Sequence, residues 1–188
     1  GCVIDGIDVG CSWQTLNSLN FFAEVIEDGV TNLAGLHLDT LITVLMSAIP
    51  LCTNGVVEAV QTRLAPYPEK LRAWKVQRFW SDPYVVAVLR DMQKHIRYGN
   101  EPALLRDMGG LSVSLLFLLY AINRRWPPQT KWLYRLAGDL PNLPPDLYER
   151  MGLAMHDPDM RQRPLHIALL LLDTLVLVKD DYDVSEAT

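Results

Sequence analysis

The feature that most constrains the fold is the apolar run LSVSLLFLLYAI, which occupies residues 111–122. The run is shorter than the roughly 20 residues that a helix needs to cross a bilayer, so other parts of the protein must shield it from water. A second apolar run, residues 164–178, is interrupted by His166 and Asp173. We therefore predict two buried core helices and no membrane-spanning segment.

Most of the remaining sequence is divided by proline and glycine into segments with helical spacing of apolar residues. In LNSLNFFAEVIEDG, apolar residues recur every three or four positions, and Gly29 can end the helix. The segment that contains the first apolar run is capped by Asn100 and includes Gly109 and Gly110, where we expect a kink or a close helix crossing. The pattern predicts a mainly α protein built as a helical bundle.

The N-terminal stretch CVIDGIDVGCSW has a different pattern and predicts a small β-hairpin. Asp5 and Gly6 are typical of a two-residue turn between two strands. Asp8 lies in the second arm, on the face opposite to the apolar residues. Because an isolated hairpin is only marginally stable in water, we expect it to be the end of an α+β sheet whose other strands lie upstream of Gly1.

These patterns divide the chain into three parts. Residues 1–13 are predicted to be the terminal strands of a sheet, residues 14–180 the helical bundle, and residues 181–188 an acidic tail. A chain of 188 residues of which 49% are hydrophobic can bury a sizeable core in such a bundle.

Composition and the absence of several motifs exclude some function classes. A net charge of −5 argues against general nucleic-acid binding. The three cysteines have no metal-ligand spacing, and the chain opens without the charged start and apolar run of a secretory signal, so we predict a cytoplasmic protein. The sequence contains no glycine-rich phosphate loop, no Gly-x-Ser-x-Gly and no His-Glu-x-x-His.

Three cations surround a double proline in NRRWPPQTKWLYRL. Arg124 and Arg125 are predicted in the last turn of a helix, where cations interact favourably with the helix dipole. Lys131 is predicted in the first turn of the next helix, with Trp132 beside it. Two interpretations stay open: a solvated helix end, or a rigid turn that binds a triphosphate while an aromatic face carries a base.

The acidic candidates are Asp8 on the predicted strand and Glu24 and Asp28 on the helix that follows. A strand carboxylate is commonly only solvated, but Asp8 could also bind Mg²⁺ or act as a general base if further carboxylates lie nearby. Glu24 and Asp28 are one helical turn apart. They form either a solvated face or a site that binds a cationic substrate or deprotonates an acceptor hydroxyl.

An Arg-x4-His pattern occurs twice, at Arg90 with His95 and at Arg161 with His166. It resembles the motif of HEPN-type helical ribonucleases, which implies a histidine for acid-base catalysis and an arginine that binds phosphate. Chance matches are expected in a chain with four histidines, so surface or hydrogen-bonded core histidines are the other interpretation.

A broader resemblance is carried by NRRWPPQTKWLYRL, by the apolar helix before it and by LPNLPPDLYERM after it. These segments resemble the C-terminal helical domain of polymerase-β-type nucleotidyltransferases, especially bacterial proteins related to the aminoglycoside nucleotidyltransferases. YPEKLRAW and DGIDVGCSWQTLNSL fit the same layout. The resemblance implies a small mixed sheet followed by a helical bundle, and transfer of a nucleoside monophosphate from a Mg-nucleotide to a hydroxyl group.

The resemblance also implies roles for individual residues. In that family two metal ions are held by three carboxylates, and Asp8 is similar in position to the third of them. Lys131 resembles the lysine of the bundle that reaches the nucleotide phosphates, with Arg124 and Arg125 as further phosphate ligands. Glu24 is the second catalytic candidate beside Asp8.

On the acceptor side, we assign Glu24, Asp28 and Trp132 to substrate binding. The chain lacks the Gly-Ser…Asp-x-Asp motif of the family, so nucleotidyl transfer would need strands upstream of Gly1. We therefore predict the helical part of a nucleotidyltransferase, incomplete for catalysis in these residues. It would use Mg²⁺ and a nucleoside triphosphate, and a small hydroxylated acceptor. The alternatives are a HEPN-like ribonuclease and a non-enzymatic interaction module, with a homodimer through the apolar helices as one form.

Overall fold

The structure of the chain is a computed structural model that describes residues 2–9, 15–29, 32–33, 36–50, 55–81 and 83–179. It is mainly helical and forms a helical bundle, which confirms this part of the sequence prediction. The helices are α1 (Leu16–Glu27), α2 (Leu38–Met46), α3 (Val56–Leu64), α4 (Glu69–Ser81), α5 (Pro83–Arg97), α6 (Glu101–Ile122), α7 (Thr130–Leu136), α8 (Leu147–His156) and α9 (Arg163–Leu177).

Two pairs of very short strands accompany the helices. Cys2–Ile4 (β1) pairs antiparallel with Ile7–Val9 (β2), and Asn32–Leu33 (β3) pairs antiparallel with Leu36–His37 (β4). Among the described residues each pair is a separate two-stranded unit. The larger sheet expected from the sequence is therefore not part of what the structure describes.

Local sequence explains where the helices begin. At the start of α1, Thr15 and Ser18 form a capping box: the Ser18 N–H donates to the Thr15 hydroxyl at 3.1 Å, and the Thr15 N–H donates to the Ser18 hydroxyl at 3.0 Å. At the start of α6, the Asn100 side chain accepts a hydrogen bond from the Ala103 N–H. Gly99, with φ of 65°, makes the turn that separates α5 from α6.

The larger of two hydrophobic clusters is built around α6. This helix buries a series of apolar side chains at helical spacing, and residues of α4, α5, α7, α8 and α9 pack against them. Within this cluster, the side chains of α6 that are fully inaccessible to solvent are Leu104, Met108, Leu111, Leu115 and Leu119. α9 contributes Ile167, Leu170 and Leu171, so both apolar runs of the sequence are core helices, as predicted.

The smaller cluster is formed by α1, α2 and α3 together with the start of α4. Ile26 of α1, Ile42 of α2 and Leu64 of α3 are buried at its centre. Ala121, in the last turn of α6, also belongs to it, and Trp126 packs against it from just beyond the helix. The end of α6 is therefore the place where the two clusters meet.

By length and composition α6 could also cross a membrane, which is a property that core helices of soluble proteins share. In this structure 61% of its most apolar window is buried against the rest of the described chain. The predicted absence of a membrane-spanning segment and the cytoplasmic location stay predictions.

The outer face of α9 is apolar as well. Leu165, Leu169, Leu172 and Val176 follow one another at helical spacing and are between 50% and 62% exposed. Such a stripe is compatible with the homodimer considered from the sequence, which also stays a prediction.

Candidate functional site

The helix α6 ends in a Schellman turn. Asn123 is its C-cap, and the Arg124 N–H donates to the Ala121 carbonyl at 3.0 Å. The Arg125 N–H donates to the Tyr120 carbonyl, also at 3.0 Å. Arg124 has a φ of 54°, a left-handed conformation that usually selects glycine at this position. The two arginines thus follow the helix, whereas the sequence pattern placed them in its last turn.

The turn that carries the double proline is fixed from its inner side. The Trp126 ring lies 4.8 Å from the Tyr67 ring, centroid to centroid, and its Nε1–H donates to the Leu64 carbonyl at 3.2 Å. The Thr43 hydroxyl donates to the carbonyl of Pro127, which is buried. Residues from α2, from the end of α3 and from the segment before α4 therefore hold this turn.

Asn123 fixes the end of α6 on a second side. Its Nδ2 donates to the Leu119 carbonyl and to the Asn142 carbonyl, both at 2.8 Å. Its Oδ1 accepts the Asn142 N–H at 2.8 Å. The amide thus ties the helix end to the loop before α8. The sequence analysis did not single out this residue, because its partner lies in a different loop.

The Arg124 side chain is engaged with α4. Its Nε donates to Oε1 of Glu69, and Oε2 of the same carboxylate lies 3.7 Å from Nη1 of Arg72. Arg124 therefore positions the first turn of α4 against the turn that follows α6. This is a different role from the free phosphate ligand that the sequence resemblance implies, although an exposed guanidinium can still contribute charge.

The outer side of the same segment carries an exposed aromatic ring between two cations. Trp132 is 44% exposed. Nζ of Lys131 lies 5.9 Å from the centroid of its ring, and Cζ of Arg135 lies 5.7 Å from it. Arg135 was missed in the sequence analysis. Its spacing could have revealed it, because Arg135 follows Lys131 by four positions and so shares one side of α7 with it.

Arg125 adds a third cation to this region. Its side chain is exposed, and within the described residues it forms no ion pair, as is also true of Lys131. Arg125 stands immediately before Trp126, whose packing fixes the backbone at this point. The segment from Arg125 to Arg135 thus presents positive charge on a backbone that is anchored at several places.

The acidic candidates on α1 lie next to α4. Glu24 is exposed. Asp28 forms an ion pair with Lys70, in which Oδ1 lies 3.3 Å from Nζ. Lys70 directly follows Glu69, the residue that pairs with Arg124. Asp28 and Arg124 therefore contact neighbouring residues of α4, which brings the end of α1 towards the turn after α6.

Glu27, which the sequence analysis did not select, forms a bidentate contact with α3. Its carboxylate accepts two hydrogen bonds from Arg63, from Nε at 2.8 Å and from Nη2 at 2.6 Å. This hydrogen bonding raises the pKa of Arg63 above its ordinary value. The pair joins α1 to α3 and is a structural contact.

The predicted metal ligand lies at the edge of what the structure describes. The backbone of Asp8 pairs with Val3 in the β1–β2 ladder, while its side chain is outside the described part. In the described part of the chain no group of three His, Cys, Asp or Glu side chains is arranged to hold a metal ion. Metal binding by Asp8 stays a prediction.

Both histidines of the Arg-x4-His patterns are bonded to carboxylates. His95 Nε2 lies 3.1 Å from Oδ2 of Asp107, a buried residue that also accepts a 2.8 Å hydrogen bond from Nε of Arg106. These contacts join α5 to α6. They offer an ordinary structural role for His95, and the ribonuclease alternative stays a prediction.

The second histidine connects α9 to the end of α8. His166 Nε2 lies 3.1 Å from Oδ2 of Asp157. The pKa of Asp157 is lowered by this hydrogen bond and, to a smaller extent, by the Asp159 N–H. In the same region Arg163 donates from Nε to the Asp157 carbonyl at 2.7 Å and from Nη1 to Glu101 of α6. The contact network orients α9 against α6.

A family model matches the middle of the chain. It is described as "Domain of unknown function (DUF4037)" and covers residues 36–133, slightly more than half of the sequence. The matched segment extends from β4 into α7 and includes Arg124, Arg125, Lys131 and Trp132. No curated protein and no solved structure matches the chain.

Proposed function

We propose that this chain, which belongs to the DUF4037 family, holds a nucleotide on the outer side of the turn between α6 and α7. Trp132 would stack on the base, and Lys131, Arg135 and Arg125 would bind the phosphate groups. The chain would be the helical part of a nucleotidyltransferase-like protein, as the sequence resemblance implies.

The observation that supports this proposal best is the exposed ring of Trp132 between two cations at 5.9 and 5.7 Å. An aromatic face binds a nucleobase by stacking, and lysine and arginine bind phosphate oxygens with charge-assisted hydrogen bonds. A single exposed Trp or a single lysine is common on protein surfaces. A ring flanked by both cation types on one short helix presents both kinds of contact that a nucleotide needs.

The anchoring of the turn supports the proposal further. Ordering mobile side chains and loops on binding lowers affinity, so a site on a fixed backbone binds more tightly. Here Trp126 is held by Leu64 and Tyr67, and Pro127 by Thr43. Lys131 and Trp132 follow this fixed segment within a few residues, which restricts where their side chains can reach.

The proposal also includes an acceptor and a metal ion. Asp28 and Glu24 of α1 would face a hydroxylated acceptor, and the placement of Asp28 against α4, next to the partner of Arg124, is compatible with this. A Mg²⁺ ion would accompany the nucleotide, with Asp8 as a ligand from the chain. Phosphoryl chemistry would need the Asp-x-Asp strands that these residues do not contain.

Titration with Mg-ATP tests the proposal. We expect wild-type protein to bind Mg-ATP in isothermal titration calorimetry, and Lys131→Ala to weaken the affinity about tenfold, since one charge-assisted hydrogen bond would be lost. Lys94→Ala is the matched control: this exposed lysine on α5 pairs with Asp91 and is not part of the proposed site. Its affinity should stay within twofold of wild type.

Tryptophan fluorescence checks the role of the ring separately. Nucleotide stacking on Trp132 should quench part of the wild-type emission, and Trp132→Ala should remove this quenching together with most of the affinity. Equal effects of Lys131→Ala and Lys94→Ala, or no Mg-ATP binding by the wild-type chain, would overturn the nucleotide proposal.

A further inference from the structure

Helix α9 has apolar side chains on two opposite faces. Its inner face is buried in the larger cluster, for example at Leu170. Its outer face carries the stripe of Leu165, Leu169, Leu172 and Val176, and each of these residues is at least half exposed in the described part of the chain. Single exposed leucines are common on any protein, whereas a contiguous apolar surface of this kind is typical of an interaction site.

The spacing along the stripe matches the packing of one helix against another. Successive members are separated by four, three and four positions. This is the spacing of the a and d residues of a heptad repeat, which keeps one seam of a helix in contact with a second helix beside it. A helix face that lies on a lipid surface is usually bordered by lysine and arginine, but α9 contains no lysine and its one arginine, Arg163, is buried. The stripe therefore fits a helix as its partner.

The two edges of the stripe differ in polarity. One edge carries His166 and, seven positions later, Asp173, whose carboxylate accepts a hydrogen bond from Arg150 of α8. The other edge carries Ala168 and, again seven positions later, Leu175, and both are partly exposed. A second helix that covers the stripe must therefore match a polar edge on one side and an apolar edge on the other.

A second copy of α9 matches both edges when it lies antiparallel along the stripe. A two-fold axis through the middle of the stripe places Leu165 opposite Val176 of the second copy, and Leu169 opposite Leu172. The polar edges of the two helices then lie side by side, and so do the apolar edges. In a parallel pair the polar edge of each copy would instead face the apolar edge of the other, and Asp173 would lose water without gaining a polar neighbour.

We propose that the outer face of α9 is a self-association surface, on which two copies of this chain pair antiparallel about a two-fold axis. Such a contact uses the same patch on both copies and has to be self-complementary, as the stripe and its two edges are. Four half-exposed side chains give less area than the roughly 800 Å² that each partner buries in a standard interface, so we expect a weak dimer with a dissociation constant on the order of 10 µM. The contact uses none of the residues proposed to bind the nucleotide, so the inference does not depend on nucleotide binding.

Sedimentation velocity at concentrations from about 1 to about 200 µM measures self-association of the full chain, and wild type should change from monomer to dimer across this range. Val176→Glu should raise the dissociation constant at least tenfold, because the dimer would bury two unpaired carboxylates. Val86→Glu is the matched control: this valine of α5 is 65% exposed, similar to the 62% of Val176, but is not part of the stripe. Its dissociation constant should stay within twofold of wild type, and equal effects of the two variants would overturn the proposal.

A mixing experiment tests the antiparallel arrangement. Leu165→Lys and Val176→Glu should each be mainly monomeric alone at about 20 µM, since each homodimer would bury two charges without partners. Mixed in equal amounts, the two variants should form a heterodimer. In the antiparallel pair the introduced lysine of one chain lies opposite the introduced glutamate of the other, while the remaining layers of the stripe stay apolar. A mixture that stays monomeric, although wild type dimerises, would show that the antiparallel arrangement is wrong.

The remaining outcomes also decide the proposal. Circular dichroism should show an unchanged fold in the variants, because the substituted side chains are exposed in the single chain. If Val176→Glu does not fold, Leu165→Lys is compared with Val86→Lys in the same way. A wild-type chain that stays monomeric throughout, or that instead binds phosphatidylcholine vesicles through the stripe, contradicts the proposal. Lys131→Ala should dimerise as wild type does, so failure of this proposal and failure of the nucleotide proposal can be told apart.

Discussion

The two sides of the turn between α6 and α7 use the same residue type in different ways. On the inner side, Trp126 is half-buried, with its ring against Tyr67 and its indole N–H on the Leu64 carbonyl. On the outer side, Trp132 is 44% exposed, and its ring centroid lies 5.9 Å from Nζ of Lys131 and 5.7 Å from Cζ of Arg135. One tryptophan fixes the backbone, and the other is accessible to solvent.

Because their surroundings differ, substitution of the two tryptophans should have different effects on stability and on binding. Loss of the inner ring removes packing and a hydrogen bond, so it should affect stability first and binding as a consequence. Loss of the outer ring removes contact surface that faces solvent, so it should affect binding with little change in stability. Substitutions at three positions in and beside the turn, Trp126, Tyr120 and Arg124, test this difference.

The largest effect is expected for Trp126→Ala. Removing a large aromatic side chain that packs against a core should lower the free energy of unfolding by about 3 kcal/mol. Urea unfolding followed by circular dichroism measures this change. Trp132→Ala serves as the control and should change the same quantity by less than about 0.5 kcal/mol. Similar losses in the two variants would contradict the division into an inner and an outer side.

Tyr120→Phe tests the contact between α6 and α7 by its pH dependence. Tyr120 is buried, its hydroxyl donates to the Leu133 carbonyl at 3.4 Å, and burial raises its pKa to about 12, with smaller contributions from Tyr148 and Asp139. An unfolded tyrosine ionises near pH 10. Between these two values the unfolded state releases the proton and the folded state keeps it, so wild-type stability should fall as the pH rises from about 10 to 12.

In Tyr120→Phe this part of the alkaline loss should be absent, and urea midpoints between pH 9 and pH 11 should fall less steeply than in wild type. The pKa of Tyr148 is also raised by burial, and its hydroxyl donates to the Tyr134 carbonyl on α7, so Tyr148→Phe should lessen the alkaline fall in the same direction. An unchanged slope in Tyr120→Phe would show that its hydroxyl ionises as it does in the unfolded chain.

The smallest effect is expected at Arg124. Its left-handed backbone, with φ of 54°, favours glycine over any residue that has a Cβ atom. Both Arg124→Gly and Arg124→Ala lose the contact with Glu69, but only alanine keeps the backbone strain. The glycine variant should therefore be more stable than the alanine variant by about 1 kcal/mol in urea unfolding. Equal stabilities would contradict the left-handed turn.

Local patterns predict the helices of this chain well, because capping and apolar spacing act over only a few residues. The cap at Asn100 and the two buried apolar runs follow directly from the sequence. The partner of Arg124 does not, since Glu69 lies 55 positions away and only the packing of α4 brings it near.

The candidate site is predictable only in part for the same reason. The pattern around the double proline points to Lys131 and Trp132, and the structure adds Arg135 to them. Which of the two tryptophans faces inward depends on α3 and on Tyr67, so the sequence of the turn alone cannot decide it. The surroundings of Gly109 are also beyond local patterns: a Cβ atom built there has no neighbouring heavy atom within 4 Å, so the close helix crossing expected at this glycine is not found.

The two hydrophobic clusters meet at the end of α6, and this arrangement affects which part of the protein unfolds locally. The larger cluster surrounds most of α6, while the smaller one receives only its last turn, at Ala121. Among the described residues the smaller cluster buries fewer side chains, and regions with fewer buried contacts open locally at lower free energy, so we expect the amide protons of the N-terminal helices to exchange first. Since Trp126 packs on these helices, each such opening frees the turn from its inner contacts. The lifetime of a ligand on its outer side would then be set by the motions of α1, α2 and α3.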